Sequence, residues 1–164
     1  MKISGNSVLI TGGGSGIGFQ LALAFVQNGS TVLITGRNES KLQTACQILG
    51  KAEYIVCDVT DERQIKTLAE EHGKIINVLV NNAGILQETD YSEGGASLEQ
   101  QLGEIDIDFS GPVRMAHFFL PFLLKHPAAA IVNVGSALAF VPLALTPIYC
   151  ATKAAMHSWG RSLR

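Results

Sequence analysis

Charged side chains are sparse in this chain, 16% of 164 residues, and no block of basic residues occurs. With a net charge of −2, nothing in it invites nucleic acid or an anionic membrane surface. No apolar run reaches the length of a membrane span, and Met1-Lys2-Ile3-Ser4-Gly5 lacks the apolar core of a signal peptide. Cysteine is limited to Cys46, Cys57 and Cys150, an odd set without metal-type spacing. That usage reads as reduced thiols in a cytoplasmic protein. His72, His117, His126 and His157 share no ligand spacing, so no metal is expected. Asn28 and Asn38 begin glycosylation sequons, which carry no meaning without secretion. Linkers, repeats and low-complexity tracts are missing too. A hydrophobic content of 47% over this length suits one domain of packed α/β layers.

The stretch that organises the chain is V-L-I-T-G-G-G-S-G-I-G, from Val8 to Gly18. Val8, Leu9 and Ile10 form an apolar run, glycines follow at once, and Ile17, Leu21, Ala24 and Phe25 recur at helical spacing. Strand, turn and helix therefore come in that order. Glycine tolerates positive φ and has no Cβ, so the turn is tight and a pyrophosphate can approach the backbone. The following helix offers unpaired N–H groups and a positive dipole end to that anion.

Strand and helix alternate from there. Asn28-Gly29 stops the first helix and Thr31–Thr35 is a β-branched strand. Asn38 or Ser40 caps a helix that runs to Leu49 and ends at Gly50. Glu53–Cys57 reads as a third strand, Thr60-Asp61 opens a helix closed by Gly73, and Asn77–Val80 is a fourth strand. A polar loop runs to Ala96. Leu98, Leu102, Ile105, Phe109, Val113 and Phe119 then mark one long helix over 97–125. Ala130–Val134 makes a fifth strand, and a last helix starts near Tyr149. Continuously apolar strands between helices indicate a parallel sheet covered on both faces, a Rossmann-type doubly wound α/β fold.

Ligands of such sheets collect beyond the carboxyl ends of the strands. There the chain places the glycine turn, then Gly36-Arg37, Asp58, Asn81-Asn82-Ala83-Gly84 and Gly135-Ser136. Tyr149 and Lys153 stand four residues apart, on one helix face. A phenol titrates near 10 when unperturbed, and a neighbouring ammonium favours the phenolate. That moves a tyrosine towards acid–base work at neutral pH.

These signatures, Thr11-Gly12-x3-Gly16-Ile17-Gly18, Asp58-Val59, Asn81-Asn82-Ala83-Gly84, Asn133-Val134-Gly135-Ser136 and Tyr149-x3-Lys153, resemble those of the classical short-chain dehydrogenase/reductase family. The run from Ser136 to Lys153 is also similar to the DltE-type branch. The resemblance implies strand order 3-2-1-4-5 and hydride transfer between a nicotinamide and a carbonyl or alcohol substrate of small-molecule type. It implies Ser136, Tyr149 and Lys153 as catalytic residues. Gly12, Gly14, Ser15, Gly16, Ile17, Gly18, Asp58, Val59, Asn82, Ala83 and Gly84 would line the cofactor with Tyr149 and Lys153. The family's long helix and Tyr-bearing helix build a subunit interface, so a homo-oligomer through 97–125 and the Tyr149 helix is expected. The apolar loop Leu138–Leu145 would wall the substrate site.

Two positions qualify that picture. The family's catalytic Asn, whose main-chain carbonyl holds a water near the lysine, is here Asp108, in Asp106-Ile107-Asp108-Phe109-Ser110-Gly111. Pro112, four residues on, has no N–H, so the carbonyl of Asp108 loses its helical partner and the free acceptor survives. The acid is expected to keep a relay role or to pair with Lys153. At the end of the second strand, where an acid would mark NAD, stand Gly36 and Arg37. An arginine suits a 2′-phosphate, so NADP is favoured over NAD. Family members run to roughly 250 residues, so these 164 read as part of a longer protein that lacks the last two strands and the substrate lid. Were they the whole, a non-catalytic dinucleotide-binding or assembly module would be the alternative.

Overall fold

The apolar runs become strands because helices cover both of their faces. The computed structural model describes residue 2 and residues 4–163; the reading of the amino terminus lies partly outside them, at Met1 and Ile3. In chain order the regular elements are β1 (Ser7–Thr11), α1 (Gly16–Gln27), β2 (Thr31–Gly36), α2 (Glu39–Leu49) and β3 (Ala52–Val56). There follow α3 (Glu62–His72), β4 (Val78–Asn81), α4 (Leu98–Ile105), α5 (Gly111–Leu123), β5 (Ala130–Asn133) and α6 (Pro147–Ser162). The sheet is parallel throughout, in the order β3-β2-β1-β4-β5, as expected. β1 is central, with Val8 opposite Val32 on one side and Val78 on the other.

Side chains alternate across a strand, and the core divides accordingly. Leu9, Leu33 and Leu79 pack with Ile65, Leu68, Met115 and Phe119 on the α3/α5 face. Val8, Ile10, Ile34 and Val80 pack with Ala22, Leu42 and Ala45 on the α1/α2 face. Caps fix the helix starts. Asn38 Oδ1 accepts from the Lys41 N–H at 2.9 Å, so Asn38 rather than Ser40 opens α2. Asp61 accepts from Arg63 and Gln64 at α3, and Ser97 and Gln100 form a capping box at α4.

The single helix expected over 97–125 is broken. Between α4 and α5 the residues Asp106–Ser110 form a wide π-helical turn, in which the Gly111 N–H reaches back five residues to the Asp106 carbonyl. Pro112 cannot donate to a carbonyl four residues back, and Gly111 lies so close to Val59 that a Cβ there would sit 2.9 Å from Val59 Cγ2. The extra residue in that turn changes which side chains face inward. Leu98 and Leu102 are 70% and 54% exposed, whereas Glu104 and Asp108 are buried at 1% each. The polar loop before α4 also contains a short 3-10 turn at Tyr91–Glu93. Beyond it, β5 pairs only with β4 among the described residues.

Phe119 is fully buried where α5 meets the sheet. Phe119→Ala is expected to lower unfolding free energy by about 3–5 kcal/mol, read from urea denaturation followed by circular dichroism.

Candidate active site

The glycine turn is bolted to the end of β4 by hydrogen bonds that the sequence motifs do not announce. Thr11 Oγ1 accepts from the backbone N–H groups of Asn82 and Ala83, both at 3.0 Å, and donates to the Val80 carbonyl at 3.3 Å. Asn82 Nδ2 returns the contact, donating to the carbonyls of Thr11 (2.9 Å) and Gly12 (3.2 Å). A Cβ on Gly12, whose φ is +67°, would lie 2.9 Å from Ala83 Cα. One on Gly18 would overlap the Gly12 carbonyl oxygen and the Asn82 amide. Gly12 and Gly18 thus permit a close approach of two chain segments, while Gly16 opens on free space. Gly14 turns the other way, towards Leu42 on α2.

Where α2, α3 and α4 each carry a side-chain cap and an acid in the first turn, α1 has neither: Ser15 stands at its N-cap without a side-chain hydrogen bond. Its first N–H groups and positive dipole end remain available to an anion. Ser15, Gly16 and Ile17 border a cavity of about 390 Å³ that reaches Asn82, Tyr149 and Lys153. A narrower space of about 130 Å³ adjoins it across Gly12, Ala83 and Gly84 and runs past Arg37, Asp58 and Val59. The pair forms a groove shaped for an extended, anionic ligand, and the open space over Gly16 at the start of α1 fits a pyrophosphate against backbone amides. Asp58 Oδ1 is engaged by the N–H and hydroxyl of Thr60, each at 2.9 Å. Asp61, not Asp58, caps α3. The Cys57 thiol in this groove is pushed up to about 11, chiefly by burial and further by Asp58 and Asp61, which leaves it a poor nucleophile. A groove of similar size between α1 and α2 is lined by Phe19, Thr44 and Ile48 and holds no acid–base pair.

Tyr149 and Lys153 project from α6 on one face. Lys153 Nζ lies 5.2 Å from the Tyr149 ring centroid and 3.7 Å from Asp108 Oδ2. Asp108 sits in the wide turn, and its Oδ1 accepts from the Ile85 N–H at 2.8 Å. Burial pushes the Asp108 carboxyl up, and the Ile85 N–H and Lys153 oppose that. Gly84 is squeezed against this pair, because a Cβ there would lie 3.3 Å from both Lys153 Nζ and Asp108 Oδ1. Gly160 lets α6 lie close to Asn133 on β5, and Trp159 packs edge-on to Phe109 with centroids 6.3 Å apart. Ser136 is half-buried, its Oγ accepting from the Leu138 N–H at 3.2 Å. It lines an adjoining cavity of about 320 Å³ with Phe140 and His157, and Lys153 borders both spaces.

Tyr149, Lys153 and Asp108 are therefore gathered at the glycine turn, with Ser136 beside Lys153. Arg37, Asp58 and Val59 lie at the groove's far end. Sequence reasoning held Thr11 only as the first residue of the glycine signature and gave no role to its hydroxyl, which joins β1 to β4, and it missed Glu104, whose burial no periodicity announces. Among the described residues there is no group of three His, Cys, Asp or Glu able to hold a metal ion, and no helix long and apolar enough to cross a membrane.

The profile of the short chain dehydrogenase family matches residues 6–164. The chain is 47% identical over 167 residues to the oxidoreductase DltE of Bacillus subtilis (strain 168), covering all of this chain and 66% of that protein. It is 37% identical over 164 residues to the short-chain dehydrogenase RED1 of Pyricularia oryzae, covering 95% of this chain and 55% of that one. It thus spans two thirds or less of the length of both relatives. Among solved structures, L-sorbose reductase from Gluconobacter frateurii complexed with NADPH and L-sorbose superposes with a TM-score of 0.90 at 28% identity. That match covers 99% of this chain and 64% of the reductase.

Gly18→Ala is expected to force the turn away from Asn82 at a cost of about 2 kcal/mol. That corresponds to a fall of about 4–8 °C in the thermal midpoint, measured by scanning calorimetry.

Proposed function

Since the chain belongs to the short-chain dehydrogenase/reductase family, on its DltE-like branch, we propose that it is an NADP-preferring oxidoreductase that interconverts a carbonyl and an alcohol. The observation carrying this reading is the convergence of the glycine turn, Tyr149 and Lys153 on one cavity. In this reading the backbone of Gly12, Gly14, Ser15, Gly16, Ile17 and Gly18 holds the pyrophosphate. Asp58 and Val59 receive the adenine, while Asn82, Ala83 and Gly84 flank the adenosine side. Arg37, exposed at the end of β2, pairs with the 2′-phosphate. The nicotinamide, when bound, supplies the hydride for reduction or accepts it in oxidation.

The chain's own residues handle the proton. In reduction the Tyr149 hydroxyl gives its proton to the substrate oxygen; in oxidation the phenolate takes it back. Ser136 donates a hydrogen bond to the same oxygen and holds it in reach. The Lys153 ammonium stands over the Tyr149 ring and bonds the nicotinamide ribose. Asp108 supplies the counter-charge that a buried ammonium needs. The exposed side chains of Phe140, Val141 and Leu143 support an apolar flank for the substrate. The reading includes a homo-oligomer through the 97–125 region and α6, supported by the exposure of Leu98 and Leu102. A cytoplasmic location is supported by the free thiols of Cys46, Cys57 and Cys150.

Tyr149→Phe is expected to cut turnover of a carbonyl panel about 10²–10⁴-fold, followed at the nicotinamide absorbance band, with NADPH binding largely kept. Binding of NADPH by the parent with no turnover of any carbonyl would favour the non-catalytic module. Arg37→Ala is expected to weaken NADPH about tenfold, the loss of one charge-assisted contact. NADH binding should be little changed, and fluorescence titration with both dinucleotides checks the difference.

A further inference from the structure

One buried acid has no part in the mechanism above. Glu104 is 1% exposed, one helical turn before Asp108, and faces the same strip of chain. After β4 that strip crosses the helix so that alternate N–H groups meet the two acids: Ile85 donates to Asp108 Oδ1 at 2.8 Å and Gln87 to Glu104 Oε1 at 3.2 Å. Each acid's second oxygen, Oδ2 of Asp108 and Oε2 of Glu104, is buried without a hydrogen-bond partner.

The ionisable groups acting on Glu104 are Asp108 and Lys153. Lys153 is the cation acting on both interior carboxyls, and it lies at ion-pair distance from Asp108. Neutrality allows one of them to be an anion, and an isolated interior carboxylate is far costlier than a neutral acid. Asp108 has the better claim to the charge, with the shorter N–H bond and Lys153 at 3.7 Å. Burial, and after it the Asp108 charge, push the Glu104 carboxyl up, while the Gln87 N–H and Lys153 oppose that.

We propose that Glu104 is a positioning residue of this active site, holding its proton at neutral pH so that Asp108 alone is the anion opposite Lys153. The inference rests on the acid–base reading of Tyr149 and Lys153. A second anion there would give the cluster a net negative charge near the Tyr149 ring, whose centroid is 5.2 Å from Lys153 Nζ. A neutral Glu104 leaves the Asp108–Lys153 pair balanced and still clips Gln87 in place.

Infrared difference spectra of the cofactor-free protein at neutral pH test the ionisation. The carbonyl band of a protonated carboxyl is expected in the parent and lost in Glu104→Gln. Its absence from the parent, or its persistence in Glu104→Gln, overturns the inference. The role is read from kcat/KM for carbonyl reduction against pH. Glu104→Gln mimics the neutral acid, so its alkaline limb is expected to stay where the parent's is, whereas Glu104→Ala, which releases the Gln87 N–H, is expected to lower kcat/KM. A limb displaced to lower pH in Glu104→Gln overturns the ionisation, and a Glu104→Ala variant with the parent's kcat/KM overturns the positioning role. Should Glu104→Gln not fold, the ¹³C carboxyl resonance of Glu104 in the parent reads the same ionisation, and a midpoint below neutrality overturns the assignment. NADPH turnover without the infrared band overturns this inference alone, whereas the band in a chain that binds no NADPH overturns the oxidoreductase reading and the role with it.

Discussion

A buried ammonium must be neutralised, and much of this structure follows from that requirement at Lys153. The side chain is almost wholly enclosed, so an anion has to reach it from another element. Asp108 does so from the wide turn. The turn brings the carboxylate in, the Ile85 N–H aims it, and Gly84 leaves the passage clear. No step in this chain is independent of the others. A side chain at Gly84 would strike the pair, and a regular helix would carry Asp108 along a different phase.

The second organising contact is the junction of β1 and β4. Adjacent parallel strands in the middle of the sheet end side by side, and Thr11 and Asn82 tie those ends together. The dipole end of α1 is fixed relative to α6 through this junction, because the cavity between them is floored by Asn82, Ala83 and Gly84. The glycine turn and the Tyr149–Lys153 pair are therefore held in place by buried side chain–backbone hydrogen bonds of Thr11 and Asn82. That is the arrangement preorganisation calls for.

Most of the sheet was legible in the sequence, because strands covered on both faces must be apolar, and Val8–Ile10, Val32–Ile34 and Val78–Val80 are. The glycine turn and the Tyr149–Lys153 pair were legible for a similar reason, since backbone approach and one-turn spacing each leave a local mark. The helix before β5 was not. Leu98 and Leu102 look like an inward stripe, yet they face out, and Glu104 and Asp108 face in. Apolar periodicity assumes an unbroken 3.6-residue repeat, and the wide turn at Asp106–Ser110 breaks it. Pro112 betrayed the missing donor but not the geometry that replaced it. Glu104 itself carries no sequence mark, because its partner is a backbone N–H that any residue at 87 except proline would supply.

That wide turn also sets a reading frame for the helical arm. One residue of α-helix is worth about 100° of rotation, so the surplus residue offsets the inward face of α4 from that of α5. The arm is consequently intolerant of length change at this point. Deleting a single residue between Asp106 and Ser110 would rotate α5 against α4 and turn Met115 and Phe119 away from the sheet, whereas an insertion paired with a nearby deletion would leave both faces in step.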